Sequence, residues 1–122
     1  MKVSILAATL AFAVAVGPAY AACTYPKSPD KLPDGTVASK DEMIAGKKLV
    51  EQYNSDMNAY LSCIKLEYDT QVANDATALT PEQKADLDKR QAQKHNAAID
   101  ELEALAGRFN EQIRAFNKAH PK

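Results

Sequence analysis

The two side chains best suited to covalent chemistry in this sequence are Cys23 and Cys63, forty residues apart and outside any Cys-x-x-Cys spacing. The adjacent arrangement is what lowers a thiol pKa and makes it exchange, so this pair reads as a structural disulfide in an oxidising compartment. His95 and His120 are the only imidazoles. Either one could ligate a metal, but His95 has Ala98 and Ile99 at i+3 and i+4 where a helical partner ligand would stand, and His120 lies at the chain end. Zinc needs three or four N or S donors, so no metal and no cofactor are expected. His95 is expected to hydrogen-bond across a helix seam, with Tyr60 as a partner, and Asp88 and Glu67 are expected to be solvated.

The remaining candidates for acid–base work are carboxylates two apart, Asp86 with Asp88 and Glu101 with Glu103. On a helix that spacing points to different faces, so neither is a general acid and base pair. No Gly-rich phosphate loop, nucleophile elbow or Ser-His-Asp order occurs, and four glycines in the chain leave little material for one. A non-enzyme is the expectation.

The elements that must position these residues begin with an export signal over 1–21. Lys2 is its charged start, Val3 to Val16 its apolar run, and Ala19-Tyr20-Ala21 its small-x-small cleavage site. That run is shorter than the ~20 residues a transmembrane helix needs. Tyr20-Ala21-Ala22-Cys23 is also one residue away from a lipobox, so lipid on Cys23 is the alternative to a disulfide; it would leave Cys63 an odd exported thiol. The reading is a periplasmic protein without a transmembrane segment. Removing 21 of 122 residues leaves 14 basic against 16 acidic side chains. A net −2 without a basic cluster argues against nucleic acid as a partner.

Residues 22–38 carry Pro26, Pro29 and Pro33 and then Asp34-Gly35, which excludes helix and predicts an extended arm with one turn. Ser39 and Glu42 form a capping box that opens helix 1, over 39–74. After a loop over 75–80, Thr80 and Gln83 repeat the device, with Pro81 at the first position of helix 2, over 81–119. Met43, Val50, Met57 and Ile64 recur every seven residues in helix 1, joined by Tyr53 and Tyr60 and widened by Leu49, Leu61 and Tyr68. In helix 2 steps of three and four run through Ala85, Asp88, Ala92, His95, Ile99, Leu102, Ala106, Phe109, Ile113 and Phe116, a heptad seam typical of a coiled coil.

Two long helices joined by a short loop predict an all-α fold, an antiparallel helical hairpin forming one domain over 22–122. A hairpin alone cannot enclose its seam. Polyproline geometry carries sixteen residues over ~50 Å, enough for the arm to run back from Ser39 and bring Cys23 to Cys63. Tyr25, Leu32 and Val37 are its expected apolar contacts. The Met and Tyr stripe reads as core, although in so thin a protein core and binding groove can be the same surface.

The stretches Cys23-Thr24-Tyr25-Pro26, Asp34-Gly35, Ala38-Ser39-x-x-Glu42-Met43, Tyr60-Leu61-Ser62-Cys63 and Phe109-Asn110-Glu111-Gln112-Ile113-Arg114-Ala115-Phe116 resemble a group of small exported proteobacterial proteins of uncharacterised function. The resemblance covers the whole mature chain and implies export and a helical fold; it carries no activity. Leu79-Thr80-Pro81-Glu82-Gln83 is similar to the Leu-Thr-x-x-Gln motif of periplasmic stress chaperones and metal-stress sensors, here in a single copy. Two functions follow as expectations. One is a structural, adaptor or protein-interaction module whose partner is another protein or a second copy, as a homodimer. The alternative is a chaperone or sensor that binds clients on a partly open seam.

Overall fold

The computed structural model describes residues 22–75 and 78–122; the export signal expected over 1–21 lies outside them. Among the described residues there are two helices and no strand: α1, Lys40–Asp75, and α2, Pro81–Ala119. At 36 and 39 residues they are about 54 and 58 Å long at 1.5 Å per residue. Both starts are built as reciprocal caps. The Ser39 amide donates to Glu42 Oε2 at 2.6 Å while the Glu42 amide donates to Ser39 Oγ at 3.2 Å. Thr80 and Gln83 do the same at 2.9 and 3.2 Å, with Pro81 in the first turn. Each box satisfies two amides that the helix itself cannot pair.

The helices pack antiparallel. Their buried contacts are Met43, Gly46, Tyr53, Met57 and Ile64 from α1 and Leu87, Ala98, Leu105 and Phe109 from α2. Met57, Ile64 and Leu105 are the largest fully buried side chains. Spacing explains why the contact stays in line over so long a stretch. Steps of seven (46 to 53, 57 to 64, 98 to 105) alternate with steps of eleven (53 to 64, 87 to 98, 98 to 109). A seven-residue step drifts about 20° one way around a straight helix and an eleven-residue step about as far the other way, so the two cancel.

This corrects the seam expected in helix 2. A strict heptad stripe agrees with the buried line at Phe109 and the partly buried Leu102 and Phe116, but drifts off it toward the N-terminus. Asp88, Ala92, His95 and Ala106 are accordingly exposed, Ile99 is only half-buried, and Ile113 is exposed at 36%. In α1, Val50 and Tyr60 are half-buried at the edge of the core.

The third layer is the arm, residues 22–39, which runs back along one flank of the seam. Leu32 packs against both core clusters, the one around Tyr53, Met57, Ala98 and Leu105 and the one around Ala38, Met43 and Phe109. Two glycines permit the close approach. A Cβ on Gly46 would stand 2.6 Å from the Pro33 ring and 3.1 Å from Phe109, and one on Gly35 would collide with the α2 backbone at Gln112 and lie 2.8 Å from the Phe116 nitrogen. Beside it the Gly35 amide donates to Gln112 Oε1 at 2.9 Å. Asp34 closes the turn into α1, accepting from the Thr36 amide and hydroxyl at 2.9 and 2.7 Å. Those bonds, the hydroxyl's first, lower the Asp34 pKa. Val37, expected to make apolar contact, instead points outward at 80% exposure, because the turn leaves Ala38 to face the core.

Candidate functional site

Two places gather side chains with chemistry. The first is the corner where the arm begins. Cys23 and Cys63 are joined by a disulfide with their Cα atoms 5.8 Å apart, and no free cysteine remains among the described residues. A Cys23 sulfur bonded to Cys63 is not available to carry a thioether-linked lipid. Glu67, four residues beyond Cys63 and so on the same face of α1, accepts the Cys23 amide at 3.1 Å. Its carboxylate and the two sulfurs lie within 4.8 Å of one another, all three residues half-buried. Glu67, expected to be solvated, is thus drawn into the corner. The i+4 spacing from Cys63 was the available signal, although nothing in the sequence says which face of α1 the arm follows.

Next to the corner, Tyr25 meets Tyr60 edge-on with ring centroids 5.0 Å apart. This is the arrangement aromatic quadrupoles prefer, and it seats the arm on α1. Tyr53, one helical stretch further back, is 3% exposed, and its hydroxyl is buried close to those of Ser28 and Tyr25, without a partner in full hydrogen-bond geometry. Burial pushes the Tyr53 phenol up to about 12, with the Tyr25 hydroxyl and the Glu101 carboxylate adding to the shift.

The second place is the flank of the seam that the arm does not cover. There α1 and α2 leave an open groove of about 740 Å³ lined by residues including Leu61, Lys65, Tyr68, Asp88, Ala92 and His95. The Tyr68 hydroxyl donates to Asp88, which also takes the Lys84 ammonium at 2.9 Å. These bonds, Tyr68's first, lower the Asp88 pKa, and the same bond raises the Tyr68 phenol. Both groups are at the solvated edge, where such pairs contribute little to stability.

His95 is exposed in this groove, so the hydrogen bond to Tyr60 expected across the seam is replaced by a position on the opposite flank from Tyr60's aromatic contact. His120 lies beyond the end of α2, stacked on Phe116 with centroids 4.3 Å apart and its ring near the Phe116 carbonyl at 3.1 Å. Twenty-five residues of nearly continuous helix separate the imidazoles by about 37 Å, so they cannot share one ion.

The class that fold and site define is a two-helix hairpin laced along one flank by a disulfide-bonded, proline-bearing arm. Comparison with family models, curated proteins and solved structures finds no match for it. No helix among the described residues is long and apolar enough to cross a membrane.

Proposed function

We propose that this chain is a non-enzymatic protein-interaction module of an exported, periplasmic compartment, and that it meets its partner through the arm-free flank. The observation that carries the reading is the asymmetry of the hairpin. One flank is closed by the arm, seated through Gly35 on α2 and through Pro33 on Gly46 of α1, and by a disulfide, while the other presents a long mixed groove. Its apolar floor, Leu61 and Ala92, offers area to bury, and its rim of Lys65, Asp69, Asp88, Asn58 and Asn96 offers polar contacts around it. That division is how specific protein contacts are composed. The groove is open to solvent, unlike the water-excluding clefts that catalysis uses.

The test is site-specific photo-crosslinking in cells exporting the full chain, with the crosslinker at Ala92 in the groove or at Asp30 on the outside of the arm. A discrete adduct from Ala92 and none from Asp30 is expected. Adducts from both positions, or a smear from Ala92 together with suppressed aggregation of an unfolded test protein, would replace this reading with the client-binding one.

A further inference from the structure

We propose that the arm corner is a redox-gated metal site: once the disulfide is reduced, Cys23, Cys63 and Glu67 bind one zinc-class divalent cation, which takes over the cross-link between arm and α1. Three observations carry this. The donors converge from two separate segments, with the two sulfurs and a carboxylate oxygen within 4.8 Å of one another. Cys63 and Glu67 stand at i and i+4 on one helix, the spacing at which helical residues chelate a single ion. Finally, the arm is held by more than the S–S bond. Tyr25 on Tyr60, Pro33 on Gly46 and the Gly35 amide on Gln112 are arm contacts that do not pass through the S–S bond.

The donor set selects the metal. Two thiolates and one carboxylate suit zinc, with Zn–S distances of about 2.3 Å, and leave a fourth tetrahedral position open to water. Glu67 has an oxygen to spare, because only Oε1 accepts the Cys23 amide. That bond fixes the carboxylate's orientation, as outer hydrogen bonds do around metal ligands. Half-burial of all three residues gives an ion access from solvent.

The chemistry balances with a phosphine as reductant. It attacks one sulfur, the S–S bond breaks, and one water converts the adduct to phosphine oxide and two thiols; metal binding then displaces a proton from each thiol. The experiment reduces the full exported chain with a trialkylphosphine, removes the reagent without air and titrates with Co²⁺, followed by competition with Zn²⁺. One Co²⁺ per chain is expected, with a thiolate-to-cobalt charge-transfer band in the near ultraviolet that Zn²⁺ abolishes. Glu67→Gln should weaken binding roughly tenfold or more. The oxidised chain and Cys23→Ala/Cys63→Ala should show no such band, and His95→Ala/His120→Ala should leave it unchanged.

Circular dichroism is recorded on every sample. If the reduced chain loses helix, the cation must restore it at the same one-to-one ratio. Absence of the band in the reduced chain, failure of that restoration, or cobalt binding that survives loss of both cysteines overturns the proposal.

Discussion

Tyr53 shows what the arm demands of individual residues. Its ring fills the middle of the seam, yet its hydroxyl is enclosed beneath the arm, close to that of Ser28 but short of full hydrogen-bond geometry. A buried hydroxyl that is imperfectly bonded is a cost the fold carries, and burial also ties Tyr53 to pH. The unfolded phenol ionises near 10.0, whereas burial raises the folded one to about 12. The folded state therefore holds this proton more tightly. The stability linked to it is complete below pH 10 and is lost as pH rises from 10 toward 12. Tyr53→Phe removes that loss and also the imperfectly bonded oxygen. Its melting temperature should equal or exceed the wild type's at pH 7, and it should fall less steeply above pH 10. Tyr60, also raised by burial, leaves a residual slope in both proteins. A wild type and variant that decline in parallel above pH 10 would mean that Tyr53 ionises no differently in the folded chain.

At the scale of elements, the decisive quantity is the phase of α2. Leu105 is 1% exposed in the seam, while His95, one and a half heptads earlier, faces the open groove. Leu105→Ala should destabilise the protein by about 2–4 kcal/mol through lost burial and a residual cavity, whereas His95→Ala should change stability by no more than ~0.5 kcal/mol. Urea unfolding followed by helix signal measures both, and equal effects would sink the assigned phase. The sequence made the helices, their caps and the arm legible because each depends on local chemistry: Ser39 with Glu42, Thr80 with Pro81 and Gln83, three prolines before Gly35. The phase of α2 was not legible in the same way. Ala85, Ala92 and Ala106 continue the seven-residue count, but so small a side chain fits either flank. The true line steps by eleven through Leu87, Ala98 and Phe109, and periodicity alone does not choose between the two. Gly46 and Gln112 were missed, and Gly35 was expected only as part of a turn, for a related reason. Their importance lies in how closely the arm approaches, a distance that no spacing along the chain encodes.

At the scale of the whole fold, the described residues form two helices and an arm, and their small core places weight on the covalent tie. Thirty-six and thirty-nine residues of helix bury only nine described positions in the seam, and exposed Ile44, Leu49 and Leu66 show how much apolar surface stays outside. The disulfide acts mainly on the unfolded chain. It spans a sequence separation of 40, and closing a loop of that size removes entropy worth about 4 kcal/mol in the chain-entropy treatment. That is a large part of the 5–15 kcal/mol typical of a domain. Cys23→Ser/Cys63→Ser should therefore lower the urea-unfolding free energy by about 4 kcal/mol relative to the oxidised protein, with the helix content at zero urea unchanged. The two quantities separate the roles of cross-link and contact. The arm's contacts through Leu32, Pro33 and Gly35 survive the substitution, so the native helices should remain while the margin shrinks. A variant as stable as the oxidised protein would mean that the unfolded chain already holds its arm near α1, leaving the disulfide little entropy to remove. A variant that loses helix without urea would mean that the arm is held by the disulfide alone and that its packing contributes little.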